Sequence, residues 1–353
     1  MSTHWDAASF RDSIQQTLDE FLAAQQERLA PLGADATRLL DEARVTVAGG
    51  KRLRAAFCWW GYRAVQPEVA DPAALFRACA ALELLHASAL VHDDVMDDSD
   101  TRRGRPATHR AFAAQHRGDG WTGDPEQYGT ATAILLGDLL LTWADELLRH
   151  SGLPQVGTGL DFFDVCRTEV VAGQFLDVSV QARGRADVAT AMTVLRFKSA
   201  KYSIERPLHI GAALAGAGPG TIEELTAFGL PLGEAFQLRD DVLGVFGDPA
   251  STGKPAGDDL VEGKRTVLIA LALESAAAAD ADLLDRSLGK ELTAAEVARL
   301  CEVIESSGAR LQVESMIDEL AATSLAALER SGVSAVAQDA LRALAAAATK
   351  RDR

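Results

Sequence analysis

Cysteine is scarce in this chain, and its four copies stand far apart at Cys58, Cys79, Cys166 and Cys301. No two of them form a CxxC pair, so the pattern offers neither a zinc site nor a disulfide framework and points to reduced thiols in the cytoplasm. A charge-free apolar run of the roughly 18 residues that span a bilayer is also missing. The leading segment MSTHWDAASF has no basic stretch followed by an apolar one, and stable membrane insertion is not expected. Positive charge is in deficit: 35 Lys and Arg stand against 51 Asp and Glu, for a net charge of −16. That balance argues against nucleic acid as a partner, because counterion release needs clustered cations. Strand-length alternation between hairpin turns, a repeat at solenoid period and a Pro/Ser-rich linker are all wanting as well.

What the chain does have is apolar residues, 48% of its 353 positions, enough for a sizeable core. Length alone suggests about two domains, but with no linker a single domain over 1–353 is the expectation. Helix-period spacing dominates: Phe10, Ile14, Leu18, Phe21 and Leu22 form one stripe. Ser9 with Asp12, Thr221 with Glu224, and Thr293 with Glu296 read as capping boxes that open helices. Gly and Pro punctuate 118–129, 151–159, 216–220 and 247–257, leaving long helices between them. The fold class is therefore all-α.

Two of these helices end in paired aspartates. The first, after the apolar run LFRACAALELLHASALV, reads HDDVMDDSDTRRGRP and sets Asp93, Asp94 and Asp97 at i, i+1 and i+4. Asp93 and Asp97 share a helix face. Carboxylates one turn apart repel, and the arrangement makes sense if a hard, oxygen-seeking cation such as Mg²⁺ sits between them. A solvated helix end is the plain alternative. The second cluster, FQLRDDVLGVFGDP, brings Asp240 and Asp241 to a helix end marked by Gly247 and Pro249, with Gln237 one turn earlier. Cations recur beside both: Lys51 and Arg54 in GGKRLR, Arg102 and Arg103 past the first, Lys254 and Lys264 past the second. A diphosphate facing such carboxylates would meet repulsion of about 4 kcal/mol per unit-charge pair at 4 Å and an effective dielectric near 20. With Mg²⁺ and the cations present, the same site would stabilise diphosphate as substrate and as leaving group.

With these motifs in place the chain resembles the trans-polyprenyl (isoprenyl) diphosphate synthases, the family of farnesyl and geranylgeranyl diphosphate synthases. GGKRLR, ELLHASALVHDDVMDDSDTRRGRP, LLGDLLL, GQFLD, FKSAKYSIERPLHIGA and FQLRDDVLGVFGDPASTGKPAGDDLVEGKRT occur in the family's order over nearly the whole length. The resemblance implies an isoprenoid synthase-type helical bundle around a central active-site cavity. It implies that Lys51, Arg54, His86 and Arg103 hold isopentenyl diphosphate, and that Arg102, Lys198, Ser199, Gln237, Lys254 and Lys264 hold the allylic diphosphate. Asp93, Asp97 and Asp240 would ligate Mg²⁺, three ions with substrate bound, and Asp94, Asp241 and Lys198 join them as catalytic groups. A homodimer is implied by the resemblance alone. The second motif departs from the family's DDxxD, reading DDVLG with Gly244 in the last place; since Asp240 and Asp241 already supply carboxylate, restoring Asp is expected to change little. Ser199 stands where the family has Thr, and a hydroxyl is kept.

Residues outside the main motifs carry two readings each. Gln174 and Asp177 in GQFLD, and Asp138 in LLGDLLL, are cavity groups or buried hydrogen-bonding pairs; His92 and Asp94 belong at or just behind the metal. Among other functions, an HD-type metal phosphohydrolase needs a further metal-binding His upstream, where only His4 precedes His86. A terpene cyclase would carry an Asn/Ser/Glu motif in place of RDDVLGVFG, and a non-catalytic subunit would have lost aspartates or Lys51. Product length is read from the residues five and four before Asp93, Ser88 and Ala89, about one turn or ~5.4 Å from the metal. Both are small, and Leu85 is the next obstacle, so C20 geranylgeranyl diphosphate is expected, with C15 and C25 or longer as alternatives.

Overall fold

The computed structural model describes residues 6–184, 187–248 and 257–349. These are helical almost throughout; the described strands are Thr101–Arg102 (β1) and Arg105–Pro106 (β2), an antiparallel pair two residues long. The chain is all-α. Its residues group into two compact units, Met1–Leu160 with Ile210–Ala217, and Asp161–His209 with Gly218–Arg353.

The first unit contains α1 (Ala7–Leu29), α2 (Ala34–Val47), α3 (Leu53–Val65), α4 (Pro72–Met96), α5 (Thr108–Gly118) and α6 (Pro125–Arg149). Its axis is α4, which packs on α1, α3 and α6. Asp71 caps this helix by accepting from the Ala74 amide at 3.0 Å, and Pro72 supplies a φ already suited to the first turn. Most of α4 is buried and apolar, as expected of a helix largely enclosed by others. Leu75, Leu82 and Leu84 are at most 1% exposed, and each contributes about 1.5–3 kcal/mol by leaving water. By length and hydropathy α4 could cross a membrane, yet 72% of its apolar window is buried inside the protein. A largely buried helix thus carries the first aspartate cluster at its end.

The second unit holds most of α7 (Val156–Arg183), then α8 (Val188–Leu195), a ten-residue π-helical segment (Arg196–Glu205), the start of α9 (Arg206–Leu214), whose residues from Ile210 on belong to the first unit, and α10 (Pro219–Phe246). After these come α11 (Asp258–Glu262), α12 (Val267–Ser275), α13 (Ala278–Ser287), α14 (Ala294–Ser306), α15 (Ala309–Arg330) and α16 (Ala335–Thr349). Leu238 and Val242 of α10 join Leu268, Ile269, Val303 and Val313 in one core.

The capping boxes fare differently. Thr293 and Glu296 form one: the Thr293 amide donates to Glu296 Oε2 at 2.8 Å and the Glu296 amide to Thr293 Oγ1 at 3.3 Å. Ser9 does not cap α1, because Asp6 lies earlier and accepts from the amides of Ala8 and Ser9, both at 3.0 Å. Thr221 lies inside α10, which starts at Pro219, and Glu224 instead accepts from the Gly332 amide. α10 ends at Phe246, with Gly247 at its C-cap as its sequence suggests; Pro249 and Lys254 lie outside the described residues.

Candidate active site

The GGKRLR loop enters α3 through Arg52, whose φ of 54° is unusual for a residue with a side chain. A buried network holds it there. Arg52 Nη1 donates to Glu83 Oε2 of α4 at 3.1 Å, and Nη2 to Gln15 Oε1 and the Val47 carbonyl, both at 2.6 Å. The other Glu83 oxygen accepts from the Ala55 amide at 3.3 Å. Arg52 and Glu83 are 4% and 6% exposed, so each charge requires the other. Their pairing sets the loop against α4 with Lys51 exposed and Arg54 half-buried. Neither Arg52 nor Glu83 was assigned a role from sequence; a lone acid inside an apolar run such as LFRACAALELLHASALV was the available signal.

A two-residue turn, Arg103–Gly104, joins β1 to β2 with φ of 52° and 72°, the backbone twist that tight hairpins favour. It brings Arg102 and Arg103 back toward α4. Arg103 Nη1 donates to the Ala48 carbonyl at 3.1 Å and its guanidinium crosses Gly50, where a Cβ would lie 3.6 Å from Nη2. Burial lowers the pKa of Arg103, and Arg52, Arg102 and Arg54 lower it further against the opposing charge of Glu83. His86 on α4 feels the same field. Burial first, then Arg54, Arg103, Arg102 and Arg52, push its pKa well below the usual imidazole range, so it is neutral at pH 7. Concentrated positive charge around a neutral donor suits an anion with several oxygens.

Asp93 sits in the last turn of α4 and Asp97 at its C-cap, where the Asp97 amide donates to the Asp93 carbonyl at 2.8 Å. The shared face read from their spacing is kept. Asp94 is different: it is 2% exposed and accepts from Arg102 Nε at 2.8 Å and from Nη2 as well. That contact leaves Arg102 Nη2 3.9 Å from Asp93 Oδ2. Asp94 is therefore turned to Arg102, a placement behind Asp93. His92 Nε2 lies 3.1 Å from the Ile134 carbonyl and 3.6 Å from Asp138 Oδ1 on α6. Gly137 makes this approach feasible, since a Cβ there would stand 2.1 Å from that nitrogen.

On the accessible side of α4, His86, Ala89, Asp93 and Asp97 form a partly exposed stripe, whereas Ser88 and Leu85 are buried at 3%. Ala89 and Ser88 are thus not equivalent, as their spacing alone suggested. The residue with an open face is Ala89.

The second unit assembles the remaining groups. Lys198 Nζ on the π segment donates to Asp177 Oδ2 of α7 at 2.6 Å, which makes Asp177 of GQFLD a partner of Lys198. Gln174 of the same motif is half-buried one turn earlier. Ser199 Oγ donates to Gln237 Oε1, and Gln237 Nε2 donates to Asp241 Oδ1 at 2.8 Å. Asp241 is 7% exposed; burial, then Asp259 and Asp240, push its carboxyl up to about 8 against the pull of Gln237 and Lys264. Asp240, half-buried, lies beside it. Lys264 pairs with Glu262 and lies 3.6 Å from Asp259 Oδ1.

Gly244 leaves no vacancy. A Cβ built on it would lie 2.0 Å from Asp259 Oδ2 and 2.5 Å from Asp259 Cγ, so a carboxylate from α11 already fills the space beside it.

Among the described residues, no three His, Cys, Asp or Glu side chains converge closely enough to hold an ion unaided. The donors nevertheless fit Mg²⁺, which takes one or two carboxylates and completes its shell with water and phosphate oxygens. Asp93 and Asp97 in one unit, and Asp240 in the other, are carboxylates of that kind.

The polyprenyl synthetase family model matches residues 37–304. A solved structure from Corynebacterium glutamicum, a geranylgeranyl pyrophosphate synthase complexed with isoprenyl diphosphate and magnesium, superposes with a TM-score of 0.96. It is 42% identical and covers 99% of this chain and 100% of its own. A short chain isoprenyl diphosphate synthase of Methanothermobacter thermautotrophicus is 33% identical over 77% of this chain and 78% of its own length. A geranylgeranyl diphosphate synthase of Mycobacterium tuberculosis is 31% identical over 88% and 84%.

Proposed function

The chain belongs to the polyprenyl synthetase family and is a prenyltransferase, and from that premise we propose that it condenses isopentenyl diphosphate with an allylic diphosphate to make geranylgeranyl diphosphate. The observation that carries this reading is the end of α4, where Asp93 and Asp97 stand one turn apart beside Arg102, with further guanidiniums around a neutral His86. Lys51, Arg54, His86 and Arg103 hold isopentenyl diphosphate. Arg102, Lys198, Ser199, Gln237 and Lys264 hold the allylic diphosphate, and Lys254 is assigned with them on sequence alone. Asp93, Asp97 and Asp240 would hold Mg²⁺, three ions with substrate bound, and the metal would supply positive charge to neutralise the diphosphate. Asp94 orients Arg102, and Asp241 orients Gln237.

The allylic C–O bond breaks, the diphosphate departs with the electron pair, and the isopentenyl double bond attacks the resulting cation. A proton from the isopentenyl unit passes to the departing diphosphate. The enzyme's part is electrostatic: it places cations where negative charge grows and needs no protein nucleophile. A C20 product is supported by the small, accessible Ala89 one turn below Asp93.

A homodimer is supported by apolar side chains left exposed on two helices: Ile134 and Leu135 on α6, and Val171, Phe175 and Val178 at i, i+4 and i+7 on α7, with Phe175 73% exposed. A cytoplasmic location is supported by cysteines that form no disulfide among the described residues and by the burial of α4.

The test is turnover of isopentenyl diphosphate with C5, C10 and C15 allylic primers, before and after removal of divalent metal. The expected result is a C20 product that disappears on chelation and returns with Mg²⁺. Failure to form a condensation product with any primer, or full turnover after thorough chelation, refutes the reading.

A further inference from the structure

We propose that Glu169 of α7 is a positioning residue for Lys198 and Ser199, clamping the π-helical turn on which they stand. This rests on the diphosphate-binding role given to those two residues above. A π-helix is rare and normally a single turn long, because its wider ring packs and hydrogen-bonds less well than an α-helix. Ten residues of it, Arg196–Glu205, need support from outside the segment.

The support is divided between its two halves. In the first half, Lys198 and Ser199 bind Asp177 and Gln237, and these partners have to share them when an anion arrives. The second half carries no substrate group, and Glu169 holds it. One oxygen of Glu169 accepts from Lys201 Nζ at 2.7 Å and from Arg206 Nη2 at 2.8 Å, and the other accepts from Arg206 Nε at 2.7 Å. Burial would raise the Glu169 carboxyl, but the hydrogen bonds from Arg206 and Lys201 outweigh it and hold the pKa below the ordinary value. The acid is ionised.

Beyond Arg206 the network reaches α10. Arg206 Nη1 donates to His209 Nδ1 at 3.0 Å, and His209 Nε2 lies 2.9 Å from Thr226 Oγ1. His209 is held neutral, its pKa pushed down to about 3 by burial, then by Arg206 and Lys201. With Nδ1 accepting, the proton sits on Nε2 and is donated to Thr226.

Glycine slots turn this clamp into a positional constraint. A Cβ at Gly173, one turn from Glu169 on α7, would lie 2.4 Å from the Lys198 amide nitrogen. One at Gly233 would lie 2.4 Å from the Ala200 carbonyl oxygen, and one at Gly229 3.2 Å from Glu205 Cα. The segment therefore runs in backbone contact with both α7 and α10. Close-packed contacts transmit a shift of the pinned end instead of absorbing it, and Lys198 is three residues from Lys201.

Glu169→Gln removes the charge and keeps the shape. The experiment reads amide hydrogen exchange over 196–205 in the free enzyme and the KM of each substrate, with Glu169→Asp as the conservative variant. Ser324→Ala, which deletes a buried hydrogen bond to the Phe228 carbonyl, controls for general loss of stability. Expected for Glu169→Gln are faster exchange across 196–205 and an allylic KM raised roughly tenfold, the scale of one charge-assisted hydrogen bond, with the KM for isopentenyl diphosphate little changed. Glu169→Asp should recover part of both, and Lys201→Gln should reproduce both should Glu169→Gln prove insoluble. Exchange over 196–205 equal to the parent, or both KM values moving together as in Ser324→Ala, overturns the proposal. If the parent uses no allylic diphosphate, the functional reading fails, while the exchange measurement still tests the clamp.

Discussion

Replacing Gly244 with Asp restores the family's DDxxD pattern, and sequence alone suggests a harmless change. The geometry reverses that expectation. The new Cβ would stand 2.0 Å from Asp259 Oδ2, whereas ordinary contact begins near 3.4 Å, so the Asp259 side chain has to retreat by more than an ångström. Asp259 is 14% exposed and lies beside Lys264, so it has little room to move. Overpacking of this kind costs about 1–3 kcal/mol. The added carboxylate would meet Asp259 and Asp240 with repulsion of up to about 4 kcal/mol per pair at 4 Å, reduced wherever Lys264 or Mg²⁺ screens it. A net loss of about 2–4 kcal/mol is expected, lowering the melting temperature by several degrees and reducing kcat/KM. Thermal melts with and without Mg²⁺, beside steady-state rates, measure both. Gly244→Asp combined with Asp259→Ala should regain most of the stability, with a coupling of about 1–3 kcal/mol between the sites. A single variant that melts and turns over like the parent, or a double variant whose losses merely add, refutes the argument that Asp259 occupies that space.

Asp93→Asn and Asp240→Asn should each lower kcat by at least ~10²-fold at saturating Mg²⁺, if each carboxylate serves chiefly the departing diphosphate; near-parent rates would remove that residue from the site. Lys51→Ala and Arg54→Ala should raise the KM for isopentenyl diphosphate more than that for the allylic primer, and equal effects would undo the assignment. Ala89→Phe should move products toward C15 or C10 in chromatographic assays, while Ser88→Phe, forced into a position 3% exposed, should destabilise the fold by about 1–3 kcal/mol. An unchanged product pattern in a folded, active Ala89→Phe enzyme would disconnect α4 from chain length. His209, with its folded pKa depressed to about 3, takes up a proton on unfolding once the pH falls below its ordinary value near 6.5. Its contribution to stability is therefore lost progressively from about pH 6.5 down toward 3, and His209→Gln should flatten that part of the melting profile; an unaltered profile would contradict the burial.

Some of this protein was legible in the linear chain because the signals are local. The apolar run of α4 and the one-turn spacing of Asp93 and Asp97 depend on residues within a few positions of each other, and helix periodicity reads such relations directly. The Thr293–Glu296 box was readable for the same reason, whereas Ser9 and Thr221 yielded to caps three residues earlier, at Asp6 and Gly218. Other features required the folded chain. Arg52 meets Glu83 across 31 residues, and Asp259 fills the space beside Gly244 from another helix. The π turn under Lys198 and Ser199 is held by side chains 21 to 38 positions away. Local propensity separates helix from strand, but the choice of a π turn, of which aspartate faces outward, and of Ala89 over Ser88 as the open position is made by burial and pairing with distant residues, which only tertiary packing decides.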